Sequence, residues 1–104
     1  MPTRNLAKIF KPKKVAVIGA SNRDESVGQR ALRNLVAGGF AGEIYPVNAN
    51  YSELEGYRCY PSLAEIDASG SPIDLAIICT PAASVPNVVR QCGEAGVLGV
   101  VILS

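Results

Sequence analysis

Gly19, Ala20 and Ser21 stand directly after an apolar run, and Ser26, Val27 and Gly28 open the amphipathic stretch that follows. Small residues at such a junction leave backbone N–H groups uncovered at the positive end of a helix dipole, an arrangement that holds a pyrophosphate. Gly19 permits a sharp turn, and Gly28 permits close approach of helix, sheet or ligand. On the phosphate reading, Gly28→Glu is expected to abolish ligand binding while leaving much of the fold. The same residues also suit tight helix-to-sheet packing with no ligand at all.

A dinucleotide fingerprint would read GxGxxG, with an acid at the end of the second strand for the ribose hydroxyls. Ser21 stands at the second glycine position and a longer insertion precedes Gly28. The second strand ends in Val47, Asn48, Ala49 and Asn50, with no acid for NAD and no arginine for NADP. A ligand offering a pyrophosphate but making other demands fits better. In an open α/β sheet the ligand crosses the carboxyl ends of the strands. That rule gathers the turn after Gly19, the loop of Asn48 and Asn50, the loop of Thr80, Pro81 and Ala82, and the terminal Ser104. Each loop alone also reads as an ordinary turn or cap.

The elements that must position these residues alternate. Val15, Ala16, Val17 and Ile18 form an unbroken apolar run, as expected of a parallel strand buried on both faces. Ser26 and Gln29 read as a capping box for a helix bearing Val27, Ala31, Leu32, Leu35 and Val36, ended by Gly38 and Gly39. A second strand spans 43–47. The segment through Tyr57, Arg58, Cys59 and Tyr60 is ambiguous, and Ser62 with Glu65 predicts a capped short helix ending near Asp67. A third strand is expected over 73–80. Ser84 is expected to cap a helix with Val85, Val88, Val89, Cys92 and Ala95 inward, Pro86 in its first turn and Gly96 at its end. Residues 97–103 read as a fourth strand.

The fold class expected is α/β, a Rossmann-like three-layer arrangement on a mainly parallel sheet of order 2-1-3-4. No helix follows strand four, so its surface should be thinly covered, pointing to a piece of a longer multidomain enzyme or to a homo-oligomer.

With 104 residues, 48% of them hydrophobic, the chain has room for one domain over residues 1–104. No run is long enough to span a bilayer and no signal-peptide core is visible, so a cytoplasmic protein without a membrane partner is expected. Cys59, Cys79 and Cys92 are odd in number and widely spaced, and the chain has no histidine, so no metal site is expected and the thiols read as buried and reduced. The net charge of +1 conceals an asymmetry. Residues 1–33 hold eight cations against two acids, a net +6, and the rest sums to −5. That field suits a phosphate-bearing ligand, or is simply a solvated leading segment. Without aromatic interleaving it does not read as a nucleic-acid surface.

Five segments carry a family resemblance: IFKPKKVAVIGAS (9–21), SVGQRALRNL (26–35), GFAGEIYPVN (39–48), GYRCYPSLAEI (56–66) and PIDLAIICTPAASVPNVVRQCGEAGVLGVVILS (72–104). Together they resemble the amino-terminal CoA-binding domain of ADP-forming acyl-CoA synthetases, relatives of the succinyl-CoA synthetase alpha subunit. The same domain opens bacterial protein lysine acetyltransferases that end in a GNAT-type domain. The resemblance implies coenzyme A or acyl-CoA as ligand, with Gly19, Ala20, Ser21, Ser26, Val27 and Gly28 at its phosphates. It places Asn48 and the Thr80, Pro81, Ala82 loop at the nucleotide or pantetheine. Family members often carry Pro-Lys after PVN; Ala49 and Asn50 stand there here, so a cationic phosphate contact is missing at Asn50. In the synthetases a phosphorylated histidine and an ATP-grasp region carry the chemistry. A chain without histidine is expected to position CoA for other domains of its parent, ATP-grasp or GNAT-type. Two rival readings remain at this stage: an NAD(P)-binding oxidoreductase domain, and a ligand-free interaction scaffold.

Overall fold

A computed structural model of the chain describes residues 11–66 and 71–103. Ser104 and the expected helix end near Asp67 lie outside the described residues. The first strand, β1 (Lys14–Ile18), is buried at all five positions, as its unbroken apolar run requires. It lies in the middle of a four-stranded parallel sheet with β2 (Glu43–Val47) on one side. Two residue pairs, Glu53–Leu54 (β3) and Tyr57–Arg58 (β4), form a small antiparallel hairpin. The large sheet is completed by β5 (Leu75–Ile78) and β6 (Gly99–Ile102), giving the order β2-β1-β5-β6. In terms of the four strands read from the sequence this is 2-1-3-4.

The helices α1 (Val27–Ala37) and α2 (Val85–Glu94) cover opposite faces, which makes three layers. Alternate β1 residues show the division. Val17 packs with Leu32 of α1, while Ala16 and Ile18 pack with Val88 and Cys92 of α2. At the amino ends of the strands Asp74, buried, accepts hydrogen bonds from the Lys13 and Lys14 N–H groups at 2.8 and 3.0 Å, fixing β1 beside β5. Strand four is thinly covered, as expected: Val100, Val101, Ile102 and Leu103 are exposed, Ile102 by 52%. Among the described residues no helix is long and apolar enough to cross a membrane.

Three local expectations are corrected. Ser62 makes no side-chain cap, and the segment after it is a single 3-10 turn, Leu63–Glu65, closed by backbone bonds alone. Ser84 does not cap α2 either. A 3-10 turn, Ala82–Ser84, precedes the helix, and the Ser84 hydroxyl turns back to donate to the Pro81 carbonyl at 2.7 Å. Only half of the capping box at Ser26 forms as read. The Ser26 Oγ accepts from the Gln29 N–H at 3.1 Å, but the Ser26 N–H is taken by the Arg23 carbonyl. Gln29 Oε1 therefore reaches one residue further and accepts from the Glu25 N–H at 3.1 Å. The ambiguous segment at Tyr57 resolves into the hairpin, whose turn holds Glu55 and Gly56 at φ of 51° and 82°.

Candidate nucleotide-binding site

The sheet changes direction of growth between β1 and β5, because the chain runs outward from β1 to β2 and then returns to the other side of β1. At such a switch point the loops leaving two neighbouring strands part and open a crevice. Gly19 leaves β1 with φ of +89°, and its N–H bonds the Val47 carbonyl at 2.9 Å. The Cys79 N–H bonds the Ile18 carbonyl at 2.7 Å, so the two loops start side by side before diverging.

Between them lies a cleft of about 540 Å³. Of the eleven residues singled out from the sequence, it gathers Gly19, Ser21, Ser26, Val27, Gly28, Asn48, Asn50, Thr80, Pro81 and Ala82. Ala20 is not among its lining. Its side chain is fully buried against Leu32 and Val17, and its carbonyl accepts from Asn48 Nδ2 at 2.9 Å. The cleft also includes Arg23, Tyr51, Cys79 and Leu103, which the sequence reading did not select. Arg23 had a visible signal, a cation inside the loop between β1 and α1. The others follow from how the chain packs.

The polar groups divide into those that build the cleft and those left to face it. Asn48 builds: beyond its bond to Ala20, its Oδ1 accepts from the Asn50 N–H at 2.8 Å. Ser26 builds as well, donating to the Arg23 carbonyl at 2.8 Å while capping α1. Ser21 Oγ accepts from the Arg23 N–H at 2.9 Å and lies 3.4 Å from the Tyr51 hydroxyl. Left over are the first N–H groups of α1, those of Val27 and Gly28, which have no intrahelical acceptor. Among the described residues the Thr80 hydroxyl, which is buried, has no hydrogen-bond partner, the kind of group a ligand or ordered water completes. The side of Gly28 where a side chain would stand is filled by backbone, since a Cβ there would sit 2.0 Å from the Gly19 carbonyl oxygen.

Electrostatically the cleft is one-sided. Among the described residues lining it there is one cation, Arg23, and no carboxylate. Burial pushes the Cys79 thiol up to about 11, so at neutral pH it is protonated and a poor nucleophile. Among its described lining residues the cleft offers backbone amides, hydroxyls and one guanidinium, groups that suit an anion. A larger hollow of about 790 Å³ lies at the opposite, amino ends of the strands, but Val15, Leu35, Phe40 and Leu75 make it chiefly apolar.

Comparison with known proteins identifies the family. A family described as CoA binding domain matches residues 13–104. The chain belongs to the CoA-binding domain family. An ADP-forming acetate–CoA ligase I from Archaeoglobus fulgidus is 43% identical over 95% of this chain, which spans 14% of that ligase. The alpha subunit of the ADP-forming acetate–CoA ligase I from Pyrococcus furiosus is 40% identical, with 96% of this chain covering 22% of the subunit. Among solved structures, a dinucleotide-forming acetyl-coenzyme A synthetase 1 from Ca. Korarchaeum cryptofilum, in complex with phosphate and ADP, superposes with a TM-score of 0.81 at 39% identity. The match covers 88% of this chain and 19% of that one. The CoA-binding domain thus occupies a small share of each relative.

Proposed function

We propose that this CoA-binding domain holds CoA or acyl-CoA in the cleft at the carboxyl ends of the strands, as the nucleotide-binding module of an ADP-forming acyl-CoA synthetase. The observation that carries the reading is the lining: free amides at the start of α1, a cation and no carboxylate, beside a β2 end without the acid an NAD ribose requires. In this reading Gly19, Ser21, Val27 and Gly28 surround the phosphates through their backbone. Asn48 and Ser26 hold the loops in place, and the Thr80, Pro81, Ala82 loop faces the nucleotide or pantetheine. The relatives named above are ligases and synthetases, which favours a synthetase parent over a lysine acetyltransferase. Bond making then belongs to other domains of that parent, with this one positioning the thioester carrier.

A thermal-shift titration with CoA, acetyl-CoA, NAD and ADP in parallel tests the proposal. A ligand at about 100 times its dissociation constant adds roughly 2.7 kcal/mol, a rise on the order of 10 °C for a domain this small. Stabilisation by the CoA species is the expected result. Stabilisation by NAD alone, or by none of the four, overturns it.

A further inference from the structure

We infer that Arg23 is the residue that selects the phosphates of the ligand, supplying from the amino end of α1 the cationic contact that Asn50 does not provide. The inference rests on the CoA reading of the cleft and deepens it. Arg23 is the one cation among the described residues of a lining that contains no carboxylate, so an anion entering there meets a single positive side chain and no negative one. Its guanidinium is exposed, and no hydrogen bond or ion pair holds it among the described residues.

The backbone of the same residue is unusually well held. Its N–H donates to Ser21 Oγ at 2.9 Å, and its carbonyl accepts from both the Ser26 N–H at 3.2 Å and the Ser26 Oγ at 2.8 Å. The two neighbouring acids are drawn away from this role. Asp24 Oδ1 accepts from Gln29 Nε2 at 3.4 Å, and neither Asp24 nor Glu25 lines the cleft. The chain thus spends two serines and a buried glutamine on fixing where a free guanidinium starts. Arginine suits the task because its planar fork bonds two phosphate oxygens at once.

The shared chemistry is a phosphate group, which CoA presents at two places, the pyrophosphate and the ribose phosphate. Calorimetric titration of the intact chain and its Arg23→Gln variant with CoA and with dephospho-CoA separates them. The variant should melt where the parent does without ligand, since the side chain is exposed and makes no hydrogen bond or ion pair among the described residues. Its affinity for CoA should fall about tenfold, the loss of one charge-assisted contact, and its salt dependence should flatten. A loss for CoA alone assigns Arg23 to the ribose phosphate, and a loss for both ligands assigns it to the pyrophosphate. Arg23→Lys should recover part of the affinity. Unchanged affinity and salt dependence in the glutamine variant overturn the inference while leaving the CoA reading intact. Absence of binding by the parent chain overturns both.

Discussion

The carbonyl oxygen of Gly19 lies 2.0 Å from the point where a Cβ on Gly28 would stand. The first turn of α1 is therefore pressed onto the exit of β1 with no room for a side chain, and a Cβ on Gly19 would in turn meet the Cys79 backbone and the Thr80 methyl at 3.0 to 3.1 Å. This contact revises the sequence expectation for Gly28→Glu. That substitution would displace the helix from the strand before its charge met any ligand.

Gly28→Ala is the informative change. Forcing one methyl into this contact should cost about 1–3 kcal/mol, the usual range for overpacking, and lower the melting temperature. Denaturant unfolding measures it directly; a variant as stable as the parent would show that the helix can retreat without loss.

Asn50→Lys should place a second cation at the cleft, since Asn50 is exposed and lines it. CoA affinity is expected to rise several-fold, by about 0.5–1 kcal/mol as for a solvent-exposed pair, and the gain should fade at high salt. Titration at two ionic strengths reads this out. An equal gain at both would point to an effect other than charge.

The Cys79 thiol makes stability pH-dependent in a defined window. Its folded pKa, about 11, exceeds the ordinary value of 9.0 because burial disfavours the thiolate. The folded state thus keeps its proton where the unfolded chain loses it. Stability from this source is complete below about pH 9 and is lost as pH rises toward 11. Cys79→Ala should flatten that part of a stability-against-pH profile measured by chemical denaturation, whereas an unchanged slope would assign it to Cys59 and Cys92, whose thiols burial also raises.

Much of this fold was legible because burial on two faces demands unbroken apolar runs, and β1 and β5 consist of little else. The cleft was legible for a related reason: the switch-point rule needs only strand ends, and ten of the eleven selected residues line it. Ala20 falls outside that lining, because a small residue in a loop and a small residue under a helix look alike in sequence. The hairpin was not readable. Its strands are two residues each, and its turn puts Glu55 at positive φ where asparagine or aspartate would have announced it. Ser84 looked like a cap by type and position, but the 3-10 turn before α2 aims its hydroxyl at Pro81 instead. Arg23 and Tyr51 escaped because spacing alone does not show which loop side chains converge.

The braces around residues 21–29 have a kinetic consequence. Ser21, Ser26 and Gln29 satisfy one another and the loop backbone without any contribution from a ligand. A loop already held in its binding shape has little ordering entropy left to lose, so capture should proceed at the rate of encounter, and variants at the cleft should differ mainly in how long the nucleotide stays. On the proposed function, release rather than uptake would then set the rhythm at which the thioester carrier is passed on.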